Sequence, residues 1–173
     1  MIEIRVLTDA DAGAFRAVRL RALQDEPAAF TNSYEEFSQW PLDKVAARLR
    51  GNSADNFMLG AFNADRLMGL IGFYRESALK LRHKGSVISL YVAPEAREQG
   101  LATALLRETI DRARSIAGLE QLLLGVVATQ TVARKLYESL GFVVFGREPR
   151  AVKIGGAYYD EEFMTLDLRE DGP

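Results

Sequence analysis

Ile2, Ile4 and Val6 alternate with Glu3 and Arg5, the period-two pattern of a half-buried strand. The period then lengthens. Asp9 stands where an N-cap belongs, and Phe15, Val18, Arg19 and Ala22 recur at three and four residues until Pro27, which no helix interior accommodates. Residues 27–40 have no clear period but hold Phe30, Tyr34, Phe37 and Trp40, a high aromatic density for a connection that suggests a lining role. Pro41 fits the first turn of a second helix, with Leu42, Val45, Ala46 and Leu49 on one face and Gly51 as its stop. Phe57 to Phe62 and Arg66 to Tyr74 are apolar runs separated by Asn63-Ala64-Asp65, which predicts a hairpin. Gly85 to Val92 predicts a third strand, with Ile88, Leu90 and Val92 on one face and Val87, Ser89 and Tyr91 on the other.

In the second half, Ala102, Leu106, Thr109, Ile110 and Ala113 mark the buried stripe of a helix from about Leu101 to Ala117. Leu122 to Val127 is apolar at nearly every position and reads as a strand buried on both faces. Ala133, Leu136, Tyr137 and Leu140 place a helix over Thr131 to Leu140, ended by Gly141. Phe142 to Phe145 starts another strand, Gly155-Gly156 supplies a turn, and Phe163 to Leu168 closes the sheet. The order β-α-α-β-β-β-α-β-α-β-β predicts a single α/β domain over residues 1–173 with a mixed sheet, its tail Arg169 to Pro173 frayed.

Composition narrows the chemistry. The chain has 173 residues, no cysteine and one histidine, which excludes a disulfide framework, a thiolate zinc site, a cysteine nucleophile and a multi-histidine metal site. Carboxylates, hydroxyls, Lys, Arg, backbone groups or a bound cofactor must do the work. A formal net charge of −2 gives no strongly basic face for nucleic acid. Met1 to Arg5 lacks the pattern of a signal peptide, and the longest apolar stretch, Leu122 to Ala128, is too short to span a bilayer, so the expectation is a cytoplasmic protein with no membrane partner.

The segment from Val92 to Leu101 draws attention as a strand, a tight turn ending in Gly100, and a helix beginning at once. The free N–H groups of a helix's first turn point outward and its dipole favours an anion there. Gly100 removes a Cβ from the approach, and Ala102 keeps the next position small. Neither Gly-x-Gly-x-x-Gly nor the P-loop pattern is present. Leu90-Tyr91-Val92-Ala93-Pro94-Glu95-Ala96-Arg97-Glu98-Gln99-Gly100-Leu101-Ala102 resembles the acetyl-CoA pyrophosphate motif of the GNAT N-acetyltransferase superfamily, in which Arg or Gln, two variable residues, Gly, one variable residue and Gly or Ala follow a strand. Ala133-Arg134-Lys135-Leu136-Tyr137-Glu138-Ser139-Leu140-Gly141-Phe142 resembles that family's second signature, one helix and one strand downstream.

The resemblance implies a GNAT-type mixed, largely antiparallel sheet with helices on both faces, acetyl-CoA as cosubstrate without a metal, and direct transfer of acetyl to a primary amine. Amides from Arg97 through Glu98, Gln99, Gly100, Leu101 and Ala102 to Thr103 would hold the pyrophosphate. The backbone of Leu90 and Val92, flanking Tyr91, would pair with pantetheine between two strands that splay apart. Gln130 and Ala133 belong to the same cofactor-facing set, and Lys135 and Arg134 would approach the 3′-phosphate. Tyr137 matches the family's tyrosine acid. The base stays open: many relatives carry a Glu on the strand before the turn, where this chain has Ser86, Val87 and Ser89. Glu35, Glu36 and Glu76 are candidates, with His83 as an outsider, and Tyr34-Glu35-Glu36 is the expected substrate-binding segment. A small-molecule amine is the preferred acceptor. A protein N-terminus, or a non-catalytic acyl-CoA-binding module on the same fold, are the alternatives. The final hairpin near Tyr158 and Tyr159 offers edges where a second copy could pair into a homodimer.

Overall fold

The structure, a computed structural model, describes residues 2–169; residues 170–173 of the expected frayed tail lie outside the described residues. Seven strands form one sheet: β1 (Ile2–Val6), β2 (Asn56–Asn63), β3 (Arg66–Arg75), β4 (Lys84–Val92), β5 (Gln121–Val127), β6 (Val143–Ile154) and β7 (Ala157–Asp167). The helices are α1 (Ala12–Asp25), α2 (Tyr34–Ser38), α3 (Leu42–Arg50), α4 (Leu101–Arg114) and α5 (Thr131–Ser139). The strand order is β1-β2-β3-β4-β5-β7-β6, antiparallel throughout except for the central β4–β5 pair.

Side-chain alternation assigns the helices to faces. Phe57 on β2 pairs in register with Phe73 on β3, and Arg112 of α4 lies over the Phe57 ring, so α4 covers that face. Leu70, of opposite parity, pairs with Tyr91, whose hydroxyl donates to Asp25 at the end of α1, so α1 covers the other. Helix α5 lies on the α4 side, where its Arg134 reaches Glu162, the partner of Val126. Between these layers Phe15, Leu59, Leu70, Ile71, Leu105, Leu106 and Leu122 are fully buried.

Several expectations shift. Residues 27–40 hold a short 3-10 turn, Pro27–Ala29, and helix α2, started by a capping box in which Ser33 accepts from the Glu36 amide and Glu36 accepts from the Ser33 amide. A five-residue helix is too short to display a period. Thr8, rather than Asp9, caps the turn that precedes α1, and Pro41 sits at the N-cap of α3 rather than inside its first turn. The last hairpin is much longer than its apolar cores suggest, because Arg147 pairs with Asp160 and Glu162 and so brings charged residues into β6 and β7. β6 is an edge strand, and Val143, Phe145 and Tyr158 are exposed along the hairpin.

Strand β5 is not buried on both faces. Leu122, Leu124 and Val126 are buried toward α4 and α5, whereas on the other face only Val127 is buried, Leu123 is half-buried and Gly125 exposed. The expected two-face alternation along β4 fails as well. Gly72 pairs with Ile88 and Leu70 with Tyr91, so three residues of β4 are spanned by two of β3. Ser89 absorbs the extra length at φ +60°, in the left-handed region, which puts Ile88 and Tyr91 on one face.

This bulge has a measurable cost. Ser89→Val, which forces a β-branched side chain into left-handed backbone, lowers unfolding free energy by about 1–3 kcal/mol in urea titrations, while Ser89→Gly leaves it unchanged or slightly higher.

Candidate active site

The parallel pairing of β4 with β5 lasts for three residues, Lys84–Ser86 against Gln121–Leu123. Beyond the bulge the strands part. The slit between them is about 70 Å³ and is lined from β4 by Ile88, Ser89 and Leu90 and from β5 by Gly125, Val126 and Val127. Glu26, Ala29 and Phe30 close it from the end of α1, and Gln130, Ala133 and Tyr137 from α5. Leu90, Gln130, Ala133 and Tyr137 are thus brought together.

Beyond β4 and the turn that follows it, Gly100 adopts φ +77° at the N-cap of α4 and has no side-chain cap. A Cβ built on it would meet nothing within 4 Å, and Glu98 is also left-handed at φ +61°. The first bond into α4 from a turn residue is Ala104 N–H to the Gly100 carbonyl, so the amides of Leu101, Ala102 and Thr103 are left as outward-pointing donors. That corner suits a phosphate group.

Side chains of the same loop are engaged elsewhere. Arg97 donates through Nε to the Val92 carbonyl at 3.0 Å and pairs with Glu26 at 2.7 Å, and its own amide donates to the Pro94 carbonyl, so neither the Arg97 amide nor the Val92 carbonyl is free, contrary to the expectation from the sequence. Gln99 reaches back to the Glu95 carbonyl. Glu95 receives both Arg21 and Arg66, and the Arg21 bond holds its carboxyl down at about 2. Tyr91, buried, donates to Asp25 at 2.7 Å. Loop and α1 terminus are therefore laced together. On α5, Arg134 is committed to Glu138 and Glu162, while Lys135 stands exposed.

Tyr137 is buried against Phe142, with ring centroids 6.0 Å apart. Burial, aided by the charge of Glu26, pushes its phenol up to about 12. A phenol so perturbed keeps its proton throughout the neutral range, as an acid in waiting must.

A second cavity of about 480 Å³ opens on the α1 face, walled by Leu23, Pro27 and Phe30 on one side and Val152, Lys153 and Ile154 of β6 on the other. Tyr34 and Glu35 line it, as does Ser33. Glu36 does not, since its carboxylate is occupied in the α2 cap and is held below its usual range by the Ser33 amide. Phe30 borders both cavity and slit and is covered by Arg19, which is buried with its centre 4.5 Å from the ring. Burial lowers Arg19 to about 10. Glu76 and His83 lie at the end where β4 and β5 remain paired, Glu76 accepting nothing from the slit but donating its amide to the Lys84 carbonyl.

Glu26, Gly125 and the β6 wall were not among the residues the sequence singled out. One signal was present: Asp25 and Glu26 end a helix with acidic charge, the placement its dipole disfavours, which marks them for partners outside the helix.

Compared with known proteins, residues 19–142 match the profile of the Acetyltransferase (GNAT) family. The chain is 35% identical over 82 residues to the L-amino acid N-acyltransferase MnaT of Escherichia coli (strain K12), with 47% of each protein covered. It spans about half the length of the curated relatives it matches. An acetyltransferase of the GNAT family from Streptococcus pneumoniae superposes with a TM-score of 0.87 at 23% identity, covering 96% of this chain and 99% of that one, a likeness of fold. The Salmonella typhimurium protein yncA, a putative acetyltransferase solved with its cofactor acetyl-CoA, superposes with a TM-score of 0.80 at 25% identity, covering 100% and 97%. Because the matched profile takes in both the open helix start at Gly100 and the helix carrying Tyr137, the chain belongs to the acetyltransferase (GNAT) family.

Proposed function

We propose that this protein is an acetyl-CoA-dependent N-acetyltransferase that acts on a small primary amine. The observation that carries the reading is the slit itself, joined along the chain to an uncapped helix start. Strand β4, which lines the slit through Ile88, Ser89 and Leu90, runs on into the uncapped start of α4, Tyr137 lines the slit from α5, and Phe30 is shared between the slit and the larger cavity. Amides of Leu101, Ala102 and Thr103 would hold the pyrophosphate, and the unpaired edges of β4 and β5 would hold the pantetheine arm. Acetyl-CoA supplies an activated acyl group whose thiolate needs a proton as it leaves. Tyr137, which lines the slit and is still protonated at neutral pH, would give it.

The acceptor side supports a small molecule. A cavity of about 480 Å³ lies in the range of small-ligand sites, and its wall carries both Glu35 and Lys153 beside apolar Leu23, Phe30, Val152 and Ile154. That mixture suits an amine whose body is partly apolar and whose ends differ in charge, the character of an amino-acid-like acceptor. The L-amino acid acceptors named for the E. coli relative fit the same description.

Two measurements test the reading. Gly100→Glu places a carboxylate at the phosphate corner and removes the rise in melting temperature that acetyl-CoA gives the parent protein, whereas Gly100→Asn, which tolerates left-handed backbone, keeps it. A parent protein that is folded yet gains neither melting temperature nor heat of binding from acetyl-CoA rules the proposal out. In a screen of primary amines that follows free CoA, Tyr137→Phe lowers kcat by about 10²-fold while the acetyl-CoA dissociation constant stays nearly constant. Equal turnover in that variant removes Tyr137 from the acid role.

A further inference from the structure

The acid of this reaction has a place, but the amine's proton so far does not. Strand β4 offers Ser86, Val87 and Ser89, and Glu36 is held in its capping box. Strand β7 meets the need from the acceptor face. Its alternate residues Tyr159, Glu161 and Phe163 share one face, and Glu162, which binds Arg134 of α5, lies on the other. Tyr159 is in register with Val152, a wall residue of the acceptor cavity. Glu161 follows about 7 Å along the strand, in register with Val127, a wall residue of the slit. It thus stands between the two.

Its carboxylate leans over Gly125, which also lines the slit. A Cβ on Gly125 would sit 2.9 Å from the Glu161 carboxyl carbon and collide with Oε1, so the glycine is what lets the carboxylate lie at the mouth of the slit. The neighbouring arginines are drawn away: Arg134 and Arg147 both reach Glu162, not Glu161. Across the β6–β7 pair Glu161 faces Glu148, while β5 presents only uncharged Gly125 and Val127. The Pro27–Ala29 turn, which packs against β5 and β6, is uncharged, and Glu26 before it is paired with Arg97. Burial and the facing Glu148 both raise the Glu161 carboxyl, the direction that improves a carboxylate as a proton acceptor from an ammonium.

We propose that Glu161 is the general base of the transfer, taking the proton of the acceptor's ammonium group where the cavity meets the slit, an assignment that rests on the acetyltransferase reading above. Loss of that proton to a Glu161 oxygen frees the nitrogen lone pair. The N–C bond forms as the C–S bond breaks, the thiolate leaves with the Tyr137 proton, and the second nitrogen proton replaces it on the Tyr137 oxygen. Glu161 then returns its proton to water.

The test uses the full chain with saturating acetyl-CoA and the amine turned over fastest in the screen. Glu161→Gln lowers kcat by about 10²- to 10⁴-fold and abolishes the acid-side fall of the kcat/KM profile, while melting temperature and the calorimetric affinity for acetyl-CoA are retained. Glu148→Gln removes the facing like charge and moves that acid limb to lower pH. The assignment is overturned if Glu161→Gln keeps kcat within about threefold of the parent, if the acid limb survives in it, or if its loss of turnover is matched by lost acetyl-CoA binding. A parent protein that binds acetyl-CoA but releases no CoA with any amine instead defeats the transferase reading itself, and the role of Glu161 with it.

Discussion

The separation of β4 from β5 is the constraint on which the site depends. Two parallel strands in the middle of a sheet ordinarily pair along their whole length, since every buried N–H and carbonyl left without a partner is costly. Here pairing stops at Ser86 and Leu123. On the opposite edge of β4 the register against β3 shifts by one residue, absorbed at Ser89, and a bulge of this kind kinks the strand that carries it, here in the stretch that no longer pairs with β5. The same strand then launches α4 from Gly100, so the opening of the slit and the helix start with its free amides are fixed by one piece of backbone. Neither would be useful alone, because a phosphate corner without a slit has nowhere to send the arm attached to it.

What fixes the loop between β4 and α4 is a set of charged contacts to the end of α1. Tyr91 binds Asp25, Arg97 binds Glu26, and Arg21 binds Glu95. Partly exposed pairs of this kind add little to global stability, but several of them converging on one loop determine its orientation. The α1 terminus they grip is also shared between the cavities: Glu26 closes the slit, and Pro27 and Phe30 wall the acceptor cavity. Any displacement of the loop is therefore felt on the acceptor side, through the same few residues, without a separate relay.

Much of this was legible in the chain because it follows from local rules. Alternation located the strands, Gly100 between a strand and an apolar-striped helix marked an open helix start, and helical spacing put Tyr137 on the apolar face of α5. The remainder was hidden for physical reasons. A bulge at Ser89 leaves no mark on a hydrophobic pattern, since the alternation on either side of it looks regular until the partner strand is known. Helix α2 is organised by a capping box rather than by a period. Asp160-Glu161-Glu162 has the composition of a turn, and it becomes strand only because Arg147 and Arg134 compensate two of the three acids from β6 and α5. Uncovered β5 misled for a related reason: its apolar run reads as doubly buried, but α1 and its neighbours lie over the first strands of the sheet and leave Gly125 open on their side.

The two titratable groups at the slit are perturbed by the same force to opposite ends. Withdrawal from water disfavours the charged form of any acid, so both the Tyr137 phenol and the Glu161 carboxyl move up. For the phenol, already protonated at neutral pH, the rise makes its proton more secure until a stronger base, such as a departing thiolate, arrives beside it. For the carboxylate, which starts far below neutral pH, the rise narrows the gap to an ammonium and makes proton acceptance less uphill. Each is reinforced by a nearby carboxylate, Glu26 for the phenol and Glu148 for the carboxyl. They stand on opposite faces of the sheet, Tyr137 on the α5 side and Glu161 on the α1 side, joined only where β4 and β5 have parted. A closed sheet would insulate them from one another; the slit is the route by which one face can take a proton from a molecule while the other gives one to it.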